Sequence, residues 1–497
     1  MVRTMRKLKT FTVLLLILAL SGQVLGSGYA VSGVGARALI MGGAFRAVAD
    51  DWSAAYYNPA GLVNVFENQV TFGADIYSNR PTFTPDVTQN GYHLGYYDGE
   101  ERVPNDKLVY TPYASGILVL PFYENMTFGL AVFQPFDYQT EWKLFHISPA
   151  YNPLVDDTLY DPVEEPMVMF PGEWSHRMNL DVIDFHPTFA MQLMEEKLSV
   201  GLGISIRKGT FFHDQLNLVP NDLAEPFSSR PYENFVQLSE VDASGWGFGA
   251  NLGVLLNLND KFSLGASYQT KTTIDLDGES ITKFYSPYNR HLFNYADTGS
   301  LAELIFSDST TYQSVADIET EWTVPSEFGF GLSYQASDKV LVAADFSYTL
   351  WSEYEDMVFD TSNTTGMTQY SILNEMLVPA RIVNRWDDAF KLSLGVEGIL
   401  NDKVTLRGGY CYDQSPIPNE NATVDYGNPG DQHRFTGGGS LVVSDRVSFV
   451  GGLGFIFKSE TEIESLEDLD SDGVFDNLAG THSEFSLLAS LSVVVKF

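Results

Sequence analysis

A single cysteine, Cys411, stands among 497 residues, so neither an intramolecular disulfide nor a thiolate metal cluster is available, and Cys411 reads as a small strand residue. Basic side chains are scarce too: 29 Lys and Arg against 64 Asp and Glu leave a formal net charge of −35. A phosphate backbone would be repelled by such a surface, which excludes nucleic acid as a partner. No run of about 20 continuous apolar residues occurs, so no segment can cross a bilayer as a helix. The sequence also holds no G-x-S-x-G, H-E-x-x-H or Walker pattern, and its eight histidines are scattered, so nothing signals an enzyme.

What the chain does have begins with an export signal. Arg3, Arg6, Lys7 and Lys9 precede the apolar run Phe11 to Leu20, and small residues follow near Gly26, the pattern of a secretory signal peptide over 1–26. Beyond it, 13% aromatic residues and 42 glycines suit β-structure with aromatic girdles.

The recurring unit is a strand of alternating polarity. Phe485, Leu487, Ala489, Leu491, Val493, Val495 and Phe497 share one parity, while Glu484, Ser486, Ser490, Ser492 and Lys496 share the other. Leu198, Val200, Leu202, Ile204 and Ile206 oppose Ser199, Gly201, Gly203, Ser205 and Arg207 in the same way. Val340, Val342, Ala344, Phe346, Tyr348 and Leu350 oppose Asp345, Ser347 and Thr349. Strands of a soluble sandwich usually stop after about five or six residues, whereas tilted membrane strands need about 9–11 to cross the hydrocarbon.

About fourteen such segments can be counted, near 67–78, 110–120, 126–138, 181–194, 197–208, 244–258, 260–275, 321–336, 338–351, 386–400, 402–413, 432–444, 446–458 and 482–497. Each even segment ends in a short polar turn, such as residues 257–261, 336–339, 400–403 or 444–446, and each odd one in a long loop. Short periplasmic turns and long outer loops are the asymmetry of outer-membrane barrels, and this register puts both chain ends in the periplasm. The fold class expected is therefore an all-β membrane protein, an antiparallel transmembrane barrel of about 14 strands over 67–497. A barrel this wide leaves a lumen that must hold water or a plug. Residues 27–66, too apolar for a tail, are expected to be that plug, an N-terminal hatch.

The hatch segment reads SGVGARALIMGGAFRAVADDWSAAYYNPAGL over 32–62, and with it the chain resembles the FadL/TodX-type (OmpP1) outer-membrane transporters of long-chain fatty acids and aromatic hydrocarbons. The matching features are Gly42 and Gly43, Asp50 and Asp51, and Asn58-Pro59-Ala60, with weaker echoes at 135–142, 186–193, 196–203, 245–268, 350–357 and 406–418. The resemblance implies a 14-stranded barrel whose lumen is closed by a hatch. It further implies capture of a hydrophobic ligand by outer loops, transfer to a pocket above the hatch, sideways release at a kinked strand, and a monomer among outer-membrane lipids. Each apolar pocket then supplies about 25 cal/mol per Å² buried, without ATP.

Single motifs also have plainer readings. Asn58-Pro59 is a good turn by itself, and Asp50 and Asp51 are expected either to be solvated or to pair with cations of the barrel wall such as Arg37 or Arg207. Phe45, Trp52, Tyr56, Tyr57 and Leu62 are the ligand-side candidates, with packing between hatch and wall as the alternative. In the last long loop Asp468, Asp470, Asp472, Gly473 and Asp476 are spaced like part of a calcium loop, but Ala479 stands where the bidentate Glu belongs and no helices flank it. A full EF-hand is excluded, which leaves weak extracellular calcium or a solvated acidic loop; no other cofactor is indicated. Two rival functions remain: a barrel like the type IX secretion shuttles that binds exported proteins, and an open porin, which a plug would block.

Overall fold

The computed structural model describes residues 28–31, 33–86, 101–105, 108–120, 126–144, 176–194, 197–220, 234–285, 312–366, 381–426, 428–471 and 476–497; the expected signal peptide lies outside them. Fourteen antiparallel strands close into one barrel. They are β1 Gln69–Pro85, β2 Leu108–Val119, β3 Met126–Trp142, β4 His176–Met194, β5 Leu198–Pro220 and β6 Asn234–Asn259. Next come β7, in two pieces Phe262–Gln269 and Thr272–Tyr285, and β8, in two pieces Tyr312–Val324 and Glu327–Ser337. β9 runs from Val340–Thr349 through Met357–Val358 to Asp360–Thr365, and β10 from Arg381–Ile382 to Ala389–Asn401. The last four are β11 Val404–Asp413, β12 Gln432–Ser444, β13 Val447–Ile463 and β14 Gly480–Lys496. β14 pairs with β1 from Lys496 opposite Gln69 to Gly480 opposite Pro85, which closes the sheet into a barrel.

Each expected segment coincides with one strand, but the strands continue further toward the long loops. β5 and β6 stay paired from Leu198 opposite Leu256 out to Pro220 opposite Asn234. Alternation of polarity marks only the stretch that faces lipid on one side. Above it both faces meet water or loops, pairing persists, and the pattern that would announce it is lost. β8 breaks at Pro325, which has no N–H to give the ladder.

The parity assignment holds in three dimensions. Leu202, Ile204, Phe346, Leu487 and Leu491 are exposed on the outer face, while Ser205, Arg207, Asp345, Ser347 and Ser490 are buried inward. The lumen is filled by the chain that precedes β1. Within it lie a short helix α1, Ala36–Ile40, a second helix α2, Ala54–Tyr57, and a 3-10 turn, Pro59–Asn64. Val34, Leu39, Met41, Phe45, Trp52, Tyr57 and Leu62 of this hatch form one buried cluster with wall residues such as Tyr77, Tyr113, Ile117 and Phe133.

Candidate functional site

The hatch seats itself on glycines of the wall. Gly42 and Gly43 have φ of 69° and 86°, a left-handed bend in which other residues are strained, and a Cβ on Gly42 would lie 2.7 Å from the backbone N and O of Tyr410. The wall answers in kind: a Cβ on Gly409 of β11 would lie 2.1 Å from the Gly42 nitrogen. Gly201, Gly253, Gly265 and Gly395 meet Ala60, Asn58, Arg46 and Met41 just as closely, so a belt of inward glycines forms a shallow seat. Parity exposes this belt in the sequence once a plug is assumed, since these glycines fall on the lumen side.

Asn58 is fully buried and uses both ends of its amide. Its Nδ2 donates to the carbonyls of Arg46, at 2.8 Å, and of Val254 in β6, at 3.0 Å, while its Oδ1 accepts from the Ala60 N–H at 3.2 Å. The last bond caps the 3-10 turn, for which Pro59 supplies a fixed φ at the first position. The motif is thus a turn, and it also staples that turn to another hatch segment and to the wall.

Two ion-pair networks hold the hatch. Arg46, not singled out in the sequence, pairs with Glu327, lies 3.6 Å from Asp345 and donates to Ser267 at 3.0 Å, while its backbone N–H donates to Asp345 at 2.8 Å. Arg37 pairs with Asp50 and, at 3.0 Å, with Glu397 of β10, which Arg407 of β11 also grips at 2.6 Å. Burial alone would lower the Arg37 guanidinium, yet Asp50 and Glu397 hold it above its ordinary value. The expectation that Asp50 and Asp51 meet wall cations is corrected in detail. Arg37 belongs to the hatch, Arg207 is held by Asp184 at 3.1 Å, and Asp51 accepts from the Ser53 N–H at 2.8 Å and hydroxyl at 2.7 Å.

Phe45, Trp52, Tyr57 and Leu62 are buried between hatch and wall. Trp52 stacks on Tyr113 with centroids 4.7 Å apart, Phe45 meets Tyr57 edge-on at 5.8 Å, and Leu62 lies over Gly129. Burial pushes the Tyr57 phenol up, where it stays a neutral donor, and its oxygen accepts from the Val34 N–H at 3.2 Å. Tyr56 is half-buried and lines a cavity of about 40 Å³ with Phe136, Lys391 and Trp351.

Toward the long-loop end stands an aromatic cage that the sequence reading missed. Its walls come from five separate stretches of chain: Phe136 of β3, Trp322 of β8, Trp351 and Tyr354 beyond the first piece of β9, Trp386 before the main piece of β10, and Tyr426 in the loop after β11. Tyr29 of the hatch sits at its centre, 1% exposed, and burial pushes its phenol up. These residues are scattered over some 400 positions, and only closure of the barrel gathers them.

Beside the cage the wall is interrupted. β2 and β3 pair from Val119 opposite Thr127 only as far as Ala114 opposite Val132. β3 then bulges against β4, with Gln134 and Pro135 facing the single residue Ile183. Among the described residues β2 and β3 do not pair above Ala114 and Val132, and the next contact there is the Asn105 N–H, ahead of β2, donating to the Glu141 carbonyl at 2.9 Å. Behind the resulting window runs the start of the hatch: Ala30 bridges to Phe136, and the Val31 N–H donates to the Pro135 carbonyl at 3.2 Å. Gly28 to Val31, Val109, Asp137 and Tyr138 line a cavity of about 40 Å³ there.

Among the described residues Ser205, His186 and Asp184 lie together but not as a catalytic relay. Ser205 and Asp184 both approach the same nitrogen of His186, Nδ1, at 3.2 and 3.3 Å, whereas a relay needs the two ring nitrogens to serve different partners. In the acidic loop, Asp468, Asp470 and Asp476 bring carboxylate oxygens within 4.8 Å of one another; Asp472 lies outside the described residues. Arg381 already lies 3.0 Å from Asp470, and the Leu469 N–H donates to Asp476 at 2.6 Å.

The profile of the family described as "Outer membrane protein transport protein (OMPP1/FadL/TodX)" matches residues 169–497. The chain belongs to this family. It is a β-barrel of the outer membrane, and the family's proteins are transport channels rather than enzymes. Relatives include a putative outer membrane protein of Neisseria meningitidis, 22% identical over 86% of this chain and 85% of that one, and the long-chain fatty acid transport protein of Escherichia coli K12, 20% identical over 82% and 80%. The fold is shared with a Pseudomonas aeruginosa FadL homologue, with a TM-score of 0.69, 18% identity and coverage of 95% of this chain and 100% of that one. It is shared also with the Pseudomonas putida toluene transporter TodX, at 0.62, 19%, 94% and 99%. The secretion-shuttle alternative gains no support from the family match.

Proposed function

We propose that the barrel carries small hydrophobic compounds across the outer membrane, from the long-loop end into the aromatic cage and out sideways through the window between β2 and β3. The observation that carries this reading is the adjacency of cage and window. Tyr29 fills the one, and its neighbours Ala30 and Val31 bond to the β3 edge of the other. A compound entering the cage must displace Tyr29, and the same displacement loosens the backbone behind the window. Each step exchanges one apolar surrounding for another, so no energy source is required. The hatch, taken as 27–66 with Asn58-Pro59-Ala60 and the Gly42–Gly43 bend as its fixed points, blocks an aqueous path straight through. The short turns and both chain ends face the periplasm in this scheme, and the protein acts as a monomer.

The test is deletion of Pro135. Removing one residue from a two-against-one bulge restores an unbroken ladder and leaves Phe133 and Phe136 on the lumen face. Uptake of a hydrophobic panel into cells that depend on this barrel should fall to background, with membrane yield and heat-modifiable mobility unchanged. Normal uptake by the folded deletion would show that the window is not the exit.

A further inference from the structure

Tyr29 is packed as a ligand would be. Its ring centroid lies 5.5 Å from Phe136, 5.2 Å from Trp322, 5.0 Å from Trp351, 5.3 Å from Tyr354 and 5.6 Å from Trp386. Four of these contacts are edge-to-face, with interplanar angles of 62° to 89°, so the positive edges and negative faces of the rings are matched around one central ring. The hydroxyl is provided for as well, donating to the Thr323 carbonyl at 2.9 Å. Trp322 and Trp386, almost fully buried in the same cage, each have an indole N–H with no acceptor. The cage therefore holds a one-ring slot, a carbonyl that takes a hydroxyl proton, and two spare donors.

Charge narrows the choice further. Arg207, 6.0 Å over the Phe136 ring, is held by Asp184 at 3.1 Å, and Lys391, which shares a cavity with Trp351, is 2.9 Å from Asp413. Both cations are already matched by buried carboxylates, and only one guanidinium nitrogen of Arg207 is left without a partner, so a carboxylate headgroup would regain little of its desolvation cost. An uncharged ring with a hydroxyl meets no such cost.

We propose that the cage selects uncharged phenol-type monoaromatic compounds, and that Tyr29 is a resident surrogate for that cargo. The inference rests on the transport reading above and adds the class of compound. A phenol in Tyr29's place keeps the edge-to-face contacts, gives its proton to the Thr323 carbonyl and has its oxygen beside the Trp322 indole, the ring that interacts with the Tyr29 hydroxyl. Tyr29, tethered in the same slot, competes with it, so the apparent affinity of the wild-type barrel is reduced by the fraction of time the slot is filled.

The experiment is calorimetric titration of the folded, detergent-purified barrel with p-cresol, toluene and decanoate, for the wild type and for Tyr29→Ala and Tyr29→Phe. Tyr29→Ala vacates the slot and should bind p-cresol about tenfold or more tightly than the wild type. Toluene, which lacks the hydroxyl, should bind about three- to tenfold more weakly than p-cresol, the worth of one neutral hydrogen bond. Decanoate should gain nothing from the substitution. Tyr29→Phe keeps the ring and loses only the Thr323 bond, so it should fold where Tyr29→Ala does not and should show a smaller gain of the same sign. Equal binding of toluene and p-cresol would overturn the hydroxyl assignment. Decanoate binding Tyr29→Ala as tightly as p-cresol would overturn the phenol class while leaving the transport reading in place. Failure of every probe to bind any folded variant would remove the cage as a cargo site and the transport route with it.

Discussion

Asn58→Ala separates the two roles that the Asn-Pro-Ala motif combines. The substitution deletes two donated bonds and one accepted bond in a fully buried place and leaves the Arg46 and Val254 carbonyls each short of a donor. At about 1 kcal/mol per bond, the hatch should lose about 3 kcal/mol of local stability, raising its opening constant about a hundredfold. The ladder of β6 keeps its own register, so barrel closure should not change. Hydrogen exchange by mass spectrometry reads this directly: amides of 44–66 should exchange about a hundredfold faster while those of β5 and β6 stay protected. Asn58→Asp decides which bond matters. Aspartate still caps the Ala60 N–H but cannot donate, and it turns a carboxylate toward two carbonyl oxygens. If capping were the whole role, Asp would match the wild type; the bridging geometry makes it worse than Ala. Unchanged hatch exchange in folded Asn58→Ala would refute the reasoning, and normal hydrophobic uptake despite a loosened hatch would remove the motif from the mechanism.

Three further outcomes follow from the same structure. Gly409→Val puts a branched side chain where even a Cβ would lie 2.1 Å from the Gly42 nitrogen, so the hatch should be expelled and single-channel conductance should appear; a silent, folded barrel would contradict the seat. Deleting Phe497, which is exposed on the lipid-facing parity and donates its N–H to the Asn68 carbonyl at 3.0 Å, should reduce the yield of assembled barrel in the outer membrane, and an unchanged yield would exclude a role in assembly. Because Arg381 already neutralises Asp470, millimolar calcium should leave the thermal midpoint unchanged. A rise that a chelator reverses, and that Asp476→Asn abolishes, would assign the 468–476 loop a cation after all.

The sequence by itself determined the barrel. Lipid on one face and a packed lumen on the other impose period two on every strand, so Leu202 against Ser205 or Phe346 against Asp345 is legible without coordinates. The Asn58-Pro59 turn was legible as a local conformation that few residues favour, whereas Gly42 and Gly43 stood out only through the resemblance, and their bend is a finding of the structure. Where the strands continue into water the constraint of two unlike faces disappears, and with it the signal, which is why β5 and β6 outran their expected ends. Tertiary structure alone decided the site. Arg46 finds Glu327 and Asp345 across about 300 positions, Phe45 and Trp52 pack between hatch and wall, and the cage assembles Tyr29 with Trp322, Trp351 and Trp386 from distant stretches. No periodicity records such meetings, because they depend on the order in which closed strands stand around one lumen and on the segment threaded back through it.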